Sequence, residues 1–304
     1  MLLHQSDLSA LARCPAQYGY RRAGVASSSN SASAYGSVMH YAIHVYERLI
    51  HQAKIDYKPR SEEMKAARAL ALRTALETFV HYWEPMNIEQ ICEPVPNDGW
   101  LPRQGYSEMR ARGIAALRSY HDNFPYDQHT VLGLEYSFIV PIDGTWDADL
   151  NEPHMLAGSI DRLVERPRKA KLVLSVDDFK SGKEQKYLRH NMQGSAYCYA
   201  TTKLEFWQGF RGEDGFGEKR GADLFERFQG VERRFRWVNL RTVEYNDGGI
   251  RETLDYQRFA LAVEQFVALV KADIYPLSIS GENCKFCDFR NFCGGLGLPK
   301  EEDD

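Results

Sequence analysis

The sequence predicts an α/β or α+β protein with a helical first part, a central mixed sheet and a cysteine-rich end. Apolar residues recur at helical spacing over 35–51, alternate as in strands over 131–179, and return to helical spacing over 256–272. The 304 residues, 43% of them hydrophobic, suffice for a substantial core, so we expect one domain over 1–304. Its expected parts are a mainly helical portion, a sheet core, a helix with the cysteine segment, and an acidic tail: 1–130, 131–255, 256–298 and 299–304.

Four helices are expected before the sheet. The first has Ser6 as its N-cap and ends at Pro15, because proline does not continue a helix. Longer helices are predicted over 35–51, 61–83 and 107–121. The polar segment 26–34 connects the first two helices, and four prolines between 85 and 102 enforce a loop before the fourth.

Strands are predicted over 131–140, 155–164 and 171–179, followed by a helix over 187–202. Five glycines within 209–221 indicate a surface excursion. The segments 233–245 and 250–254 are expected to flank a hairpin turn at 246–249, whose sequence is Asn-Asp-Gly-Gly. A last helix covers 256–272.

The charge and the apolar pattern exclude some classes of protein. Lys and Arg number 38 against 42 Asp and Glu, so the chain is not coated in positive charge, although one groove can still be basic. A run of 18 or more apolar residues is absent, which argues against a membrane span. The first residues do not resemble a secretory signal, so we expect a cytoplasmic protein.

Two carboxylates and a lysine form the sharpest local pattern. Asp178 and Lys180 end an apolar strand, and Asp161 lies one predicted strand earlier. Side chains alternate along a strand, so Asp178 and Lys180 point to the same face. Carboxylates from neighbouring strands would bind Mg²⁺ or Mn²⁺, and the lysine could orient a water or neutralise charge on a phosphate. The alternative interpretation is a solvated strand end.

Three further residues stand at suggestive spacings on predicted helices. Gly36 precedes His40 by one helical turn, so the backbone there can be approached closely. His40 taken alone could equally be a structural histidine. Gln193 and Tyr197 lie four residues apart on the helix after the Asp-x-Lys strand, and their alternative interpretation is a core tyrosine beside an exposed glutamine.

The ordered set of these patterns resembles the PD-(D/E)xK nucleases of the RecB type over nearly the whole chain. It consists of Gly36-x3-His40, Gly158-x2-Asp161, Asp178-x-Lys180-x-Gly182 and Gln193-x3-Tyr197. The resemblance implies the PD-(D/E)xK core, a mixed sheet flanked by helices. It also implies that His40, Asp161, Asp178 and the carbonyl of Phe179 bind the metal ion.

The remaining residues of the set would act on the substrate or support the site. By the same resemblance, Lys180 positions the attacking water, and Gln193 and Tyr197 brace the site or contact DNA. Glu135, on the strand before Asp161, stands where such enzymes often carry an acidic residue. A strand-end carboxylate is the alternative interpretation of Glu135.

Cysteines indicate a second metal site. Cys284, Cys287 and Cys293 form C-x2-C-x5-C, and Cys14 is the leading candidate for a fourth ligand. Four thiolates fit a [4Fe–4S] cluster or structural zinc, and the spacing leaves both open, with unmetallated thiols as a third alternative. The split pattern resembles that of Cas4-type and AddB-type nucleases, which implies the iron–sulfur cluster. The other two cysteines, Cys92 and Cys198, have no expected role in it.

Contact with DNA is expected along three basic stretches, 166–171, 180–189 and 233–236. Aromatic residues are interleaved with them, and a basic groove with stacking side chains suits single strands. These aromatic residues are Tyr187, Trp207, Phe235 and Trp237. Solvated strand and turn edges are the alternative for each stretch.

Together these features predict a metal-dependent exonuclease that acts on the ends of single-stranded DNA in recombination, repair or CRISPR-type processing. The chain lacks a G-x4-GK[ST] loop, so resection of duplex ends would need a helicase or a Cas-type partner. One alternative is a non-catalytic iron–sulfur DNA-binding subunit of a larger complex. Another is a zinc-stapled protein of unrelated function.

Overall fold

A computed structural model describes most of the chain. It covers residues 1–25, 31–84, 106–123, 130–168, 171–180, 188–206, 221–240 and 242–278, together with Cys284, Cys287, Phe289 and Cys293. The strands are β1 Leu2–His4, β2 Thr130–Pro141, β3 Met155–Arg168, β4 Lys171–Lys180, β5 Glu232–Asn239 and β6 Tyr245–Arg251. The helices are α1 Gln5–Arg13, α2 Pro15–Arg22, α3 Ser31–Asp56, α4 Glu62–Tyr82, α5 Tyr106–Asn123, α6 Met192–Ala200, α7 Gly221–Phe228 and α8 Thr253–Lys271.

The described strands form one mixed six-stranded sheet. Strand β3 pairs with β2 along one edge and with β1 and then β4 along the other. Strands β5 and β6 continue the sheet beyond β4. The β1–β3 and β4–β5 pairs are parallel, and the other pairs are antiparallel. The connection from β4 to β5 contains α6 and α7, as a parallel crossover requires.

Helices cover both faces of the sheet, and alternate residues of the central strands contribute to two cores. Val176 and Trp237 belong to the core that includes residues of α1, α6 and α8. Phe179 and Val238 belong to the core that includes residues of α3, α4 and α5. This arrangement confirms the expected α/β class with a central mixed sheet flanked by helices.

The N-terminal helices differ in detail from the prediction. The first begins at Gln5 with His4 as its N-cap, so the prediction of Ser6 is wrong. Pro15 does end that helix, but it is also the first residue of α2. An N–H at the first position of a helix has no partner within the helix, so proline is tolerated there. The third helix begins at Ser31, before the predicted Tyr35, and residues 26–30 of the predicted connector lie outside the described residues. The next helix was predicted to start at Ser61, and in the structure Ser61 is its N-cap and accepts the N–H of Met64 at 3.1 Å.

The predicted hairpin turn at 246–249 is wrong, because these residues lie inside β6. The chain reverses between Asn239 and Glu244 instead, where the N–H of Asn239 donates to the carbonyl of Glu244 at 2.9 Å. The glycines serve close packing. A Cβ on Gly248 would lie 2.6 Å from Cδ1 of Phe235, so glycine lets β6 approach β5 beside its bulge.

The strands predicted over 233–245 and 250–254 are displaced, because β5 ends at Asn239 and β6 covers Tyr245–Arg251. Most other boundaries agree to within about five residues, with two exceptions. Part of the predicted helix over 187–202 is a 3₁₀ turn, Leu188–His190, which precedes α6. Most of the predicted glycine-rich excursion lies outside the described residues, and α7 starts at its end. Within the part of the chain that the structure describes, no helix is long and apolar enough to cross a membrane.

Candidate functional site

The site lies where β3 changes partners. One edge of β3 pairs with β2 over most of its length. The other edge pairs with β1 at residues 155–157 and with β4 from Arg162 onwards. Asp161 lies in the interval between these two pairings.

Asp161 is held by the backbone of the neighbouring strand. Its Oδ2 accepts the N–H of Phe179 at 2.5 Å. Burial raises the pKa of the Asp161 carboxyl, and the negative charge of Asp178 raises it further, while His40 opposes them; the result is about 7. The protein alone therefore offsets the negative charge of these two neighbouring, largely buried carboxylates only in part.

His40 reaches this point from α3, on the other side of β4. Its Nε2 lies 2.8 Å from the carbonyl oxygen of Phe179. Its Nδ1 lies 3.7 Å from Oδ1 of Asp161 and 3.9 Å from Oε1 of Glu135. Burial lowers the pKa of His40, but the carboxylates of Asp161 and Glu135 outweigh it and raise the pKa to about 9.

Glu135 belongs to the same group of side chains. Leu134 pairs with Arg162 and Tyr136 with Ile160, which places Glu135 opposite Asp161. Its backbone has φ 46°, a left-handed conformation that residues other than glycine rarely adopt. Ligand atoms of His40, Glu135 and Asp161 all lie within 4.8 Å of one another, so the carboxylate that the sequence placed here reaches the site.

Asp178 and Lys180 point to the face of β4 that packs on α6, as strand alternation predicts. Nζ of Lys180 lies 2.9 Å from Oδ1 of Asp178. Burial lowers the pKa of Lys180, but Asp178 and Asp161 raise it above its usual value, so the ammonium stays charged. From α6, Nε2 of Gln193 donates to Oδ1 of Asp178 at 3.2 Å and lies 3.3 Å from the hydroxyl of Tyr197.

All six predicted site residues therefore come together, joined by Glu135 and the carbonyl of Phe179. The donors comprise carboxylate oxygens, a peptide oxygen and an imidazole nitrogen, a set that fits Mg²⁺ or Mn²⁺. A metal-bound His40 would be neutral, so the three carboxylates of Glu135, Asp161 and Asp178 would then face the single ammonium of Lys180, and a divalent cation would balance the two remaining negative charges.

Three of the four cysteines have contacts to residues of α2 or to Ser278. Nε2 of Gln17, on α2, donates to Sγ of Cys287 at 3.0 Å, and the hydroxyl of Tyr20 lies 3.5 Å from Sγ of Cys293. Sγ of Cys14 accepts the N–H of Ser278 at 3.4 Å. The bond to Cys293, burial, and the charges of Cys293, Cys14 and Cys287 raise the pKa of Tyr20 to about 12.

In the part of the chain that the structure describes, the four cysteines do not converge as a group of metal ligands. Among the described residues, no three of the four sulfurs lie within 4.8 Å of one another. Of the other two cysteines, Cys198 is fully buried, which raises the pKa of its thiol to about 12, and Cys92 lies outside the described residues.

Within the stretch 233–236, the predicted DNA contacts of Arg233 and Arg236 are wrong, because both side chains are buried. Arg233 is buried and donates to the backbone carbonyls of Val231 and Thr201, and Arg236 is buried against Asp177. Arg234 pairs with Asp247. The sequence pattern could not distinguish cations that cap buried carbonyls from cations that face a ligand.

The aromatic residues predicted to stack on DNA also differ. Phe235 and Trp237 are buried in the core, so they present no face to a base. Tyr187 and Trp207 lie outside the described residues, as do residues 181–187 of the stretch 180–189. Of the stretch 166–171, Arg166 is half-buried, 5.6 Å from the ring of Tyr245.

Comparison with known proteins agrees with the fold and gives the family. The sequence profile of the PD-(D/E)XK nuclease superfamily matches residues 3–294. The chain therefore belongs to the PD-(D/E)XK nuclease superfamily.

Solved structures and curated sequences add little to this assignment. Among 14 matching chains of solved structure is the crystal structure of SSO0001, which is 13% identical. That match covers 97% of this chain and 86% of the other, with a TM-score of 0.37. A comparison with curated proteins gives no match.

Proposed function

We propose that the chain is a metal-dependent deoxyribonuclease of the RecB and Cas4 type that hydrolyses phosphodiester bonds from the ends of single-stranded DNA. Membership of the superfamily supports a nuclease. One observation carries the catalytic assignment: His40, Glu135 and Asp161 converge within 4.8 Å, beside the Asp178–Lys180 pair.

The residues of this chain would have distinct roles. His40, Glu135, Asp161, Asp178 and the carbonyl of Phe179 would hold Mg²⁺ or Mn²⁺, which supplies a Lewis acid for the phosphate and acidifies water. Lys180 would orient the attacking water and offset the negative charge that develops on the phosphate. Gln193 would fix Asp178, and through it the position of the Lys180 ammonium.

The preference for single-stranded ends rests on the RecB-type and Cas4-type resemblance of the motifs. In this proposal, a helicase or Cas-type partner would separate duplex DNA and deliver the strand. DNA is the expected partner, since the substrate of the superfamily is a nucleic acid backbone.

The four cysteines would hold a [4Fe–4S] cluster. Four thiolates are the ligand set of such a cluster, and the split Cys14 and C-x2-C-x5-C pattern supports it through its resemblance to Cas4-type and AddB-type nucleases. Gln17, Tyr20 and the N–H of Ser278 each direct a donor at a different sulfur, which favours thiolates. The cluster would clip α2 to the C-terminal cysteine segment.

The nuclease assignment is tested with end-labelled linear DNA and circular single-stranded DNA in Mn²⁺ or Mg²⁺. We expect degradation of the linear strand only, and a loss of at least about 100-fold in Lys180→Ala. Lys203→Ala is the matched control, because Lys203 pairs with Asp143 away from the site. Full activity of Lys180→Ala would overturn the mechanism, and an inactive, metal-loaded wild type that binds DNA would favour a DNA-binding subunit.

The cofactor assignment is tested by iron and sulfide analysis after anaerobic purification. Four irons and four sulfides per chain are expected for one such cluster. Zinc without sulfide would overturn the iron–sulfur proposal and leave the nuclease assignment untouched.

A further inference from the structure

A second group of charged side chains lies against the strands that carry the catalytic carboxylates. We call it the buried charge cluster, and its members are Glu47, Tyr120, Arg162, Asp177 and Arg236. Arg162 and Asp177 have no exposed surface, and Glu47 is 1% exposed. Such groups are rarely buried unless they are paired, so the contacts within the cluster must be specific.

Arg162 is the centre of the buried charge cluster. Its Nε and Nη2 donate to Oδ2 of Asp177 at 2.9 and 2.7 Å. Its Nη1 donates to the hydroxyl of Tyr120 at 2.7 Å and to the carboxylate of Glu47. Arg236 donates from Nε to the other oxygen of Asp177 at 2.7 Å, so β3, β4, β5, α3 and α5 meet at this cluster.

Each of its central members is tied in sequence to a proposed metal ligand. Arg162 directly follows Asp161, and Asp177 directly precedes Asp178. Glu47 lies two helical turns after His40 on α3, hence on the same side of that helix.

Phe179 links the buried charge cluster to the proposed metal ligands. The guanidinium of Arg162 lies 5.1 Å from the ring centre of Phe179. The backbone of Phe179 donates to Asp161 and accepts from His40. A movement of Arg162 would therefore reach both proposed ligands through Phe179.

We propose that Glu47 and Arg162 are positioning residues for the divalent-cation site, which set the distance between α3 and the β3–β4 edge and so align His40 with Asp161 and Phe179. This inference rests on the proposed function. Apolar packing could hold these elements together equally well, but it is non-directional, whereas the fork of a guanidinium fixes both distance and angle.

The test measures Mn²⁺ affinity by calorimetry on the folded full-length chain without DNA. Glu47→Gln keeps the shape of the side chain but removes its charge, and Arg162→Lys keeps the charge but loses the fork. We expect Mn²⁺ binding 10–100-fold weaker in both variants, the usual range for groups behind metal ligands. Cleavage of linear DNA should recover toward the wild-type kcat at saturating Mn²⁺, which a general loss of structure would not allow.

Val263→Ala is the matched control, because Val263 is fully buried on the α8 side of the sheet. It should lower the thermal stability and leave Mn²⁺ affinity unchanged. If Arg162→Lys fails to fold, Tyr120→Phe, which removes one bond to Arg162, should still weaken Mn²⁺ binding by a smaller factor.

Two results would overturn the inference: unchanged Mn²⁺ affinity in folded Glu47→Gln, or equal weakening in Val263→Ala. Failure of the proposed function gives a different result. In that case the wild type and Asp161→Asn would bind Mn²⁺ equally poorly, whatever residue stands at position 47.

Discussion

Nε2 of His40 lies 2.8 Å from the carbonyl oxygen of Phe179, 139 positions further along the chain. The first residue belongs to a helix that precedes the sheet, and the second to the strand that bears Asp178 and Lys180. The proposed cation site is therefore complete only when α3 is docked on β4. Its integrity reports on the packing of the helical first part against the sheet.

Replacement of Glu135 should separate stability from metal binding. In an ordinary strand, glycine is less stable than alanine by about 0.5–1 kcal/mol, but at φ 46° the preference should reverse. We expect Glu135→Gly to be more stable than Glu135→Ala by about 1 kcal/mol, while both bind Mn²⁺ more weakly than the wild type. Thermal denaturation and calorimetry measure the two effects, and a more stable alanine variant would contradict the prediction.

Gly113→Ala should destabilise the contact between α4 and α5. A Cβ on Gly113 would lie 2.1 Å from Cζ of Phe79, which is buried in the core. We expect a loss of about 1–3 kcal/mol in urea denaturation, although alanine favours an isolated helix. A double-mutant cycle with Phe79→Leu should show that the smaller side chain relieves part of the loss. An additive cycle would mean that another contact sets the cost.

Asp255 should make the stability dependent on pH in the acidic range. Its Oδ2 accepts the N–H of Glu252 and a hydrogen bond from Arg189, both at 2.8 Å. Burial raises the pKa of Asp255, but these partners lower it below its usual value. The stabilisation is therefore complete above the usual pKa of about 4 and is lost as the pH falls through the lowered one.

The corresponding measurement compares the free energies of unfolding of the wild type and Asp255→Asn. At pH 6 the wild type should be more stable by about 1 kcal/mol, as expected for a helix cap. The difference should shrink as the pH falls from 4 to 2. A difference that stays constant over this range would show that packing, and not charge, is responsible.

Tyr20→Phe should lower the reduction potential of the proposed cluster. The hydroxyl of Tyr20 approaches Sγ of Cys293, and such a donor stabilises the more negative, reduced form. Tyr18→Phe is the control, since Tyr18 lies on the same helix as Tyr20 but packs against Tyr275. A redox titration followed by electron paramagnetic resonance, at equal iron and sulfide content, makes the comparison. Equal potentials in wild type and Tyr20→Phe would refute the role of the hydroxyl.

Periodicity predicted those parts of the site that depend on local rules. Alternation along β4 places Asp178 and Lys180 on one face, and helical spacing places Gln193 beside Tyr197, as the structure has them. The start of α4 was also predicted at Ser61, where the structure has its N-cap, since helix starts depend on a few neighbouring residues.

Long-range pairing explains what the sequence pattern missed. The three residues of β1 are too short to show alternation and are held in place by β3. Arg162 and Asp177 stand in strands as charges, which pattern analysis assigns to solvent, yet each is neutralised by a residue far away in sequence. The 246–249 segment has the composition of a turn, but the bulk of Phe235 opposite it requires glycine there.

The hydrogen bond from Gln17 to Cys287 spans 270 positions of the chain. During synthesis, Gln17 leaves the ribosome early, and Cys287 follows only after the six strands that the structure describes. The thiol site can therefore form only on a chain whose nuclease core has already been translated. Cofactor insertion would then act as a late checkpoint in biogenesis, which separates finished molecules from truncated ones that still carry His40, Asp161 and Lys180.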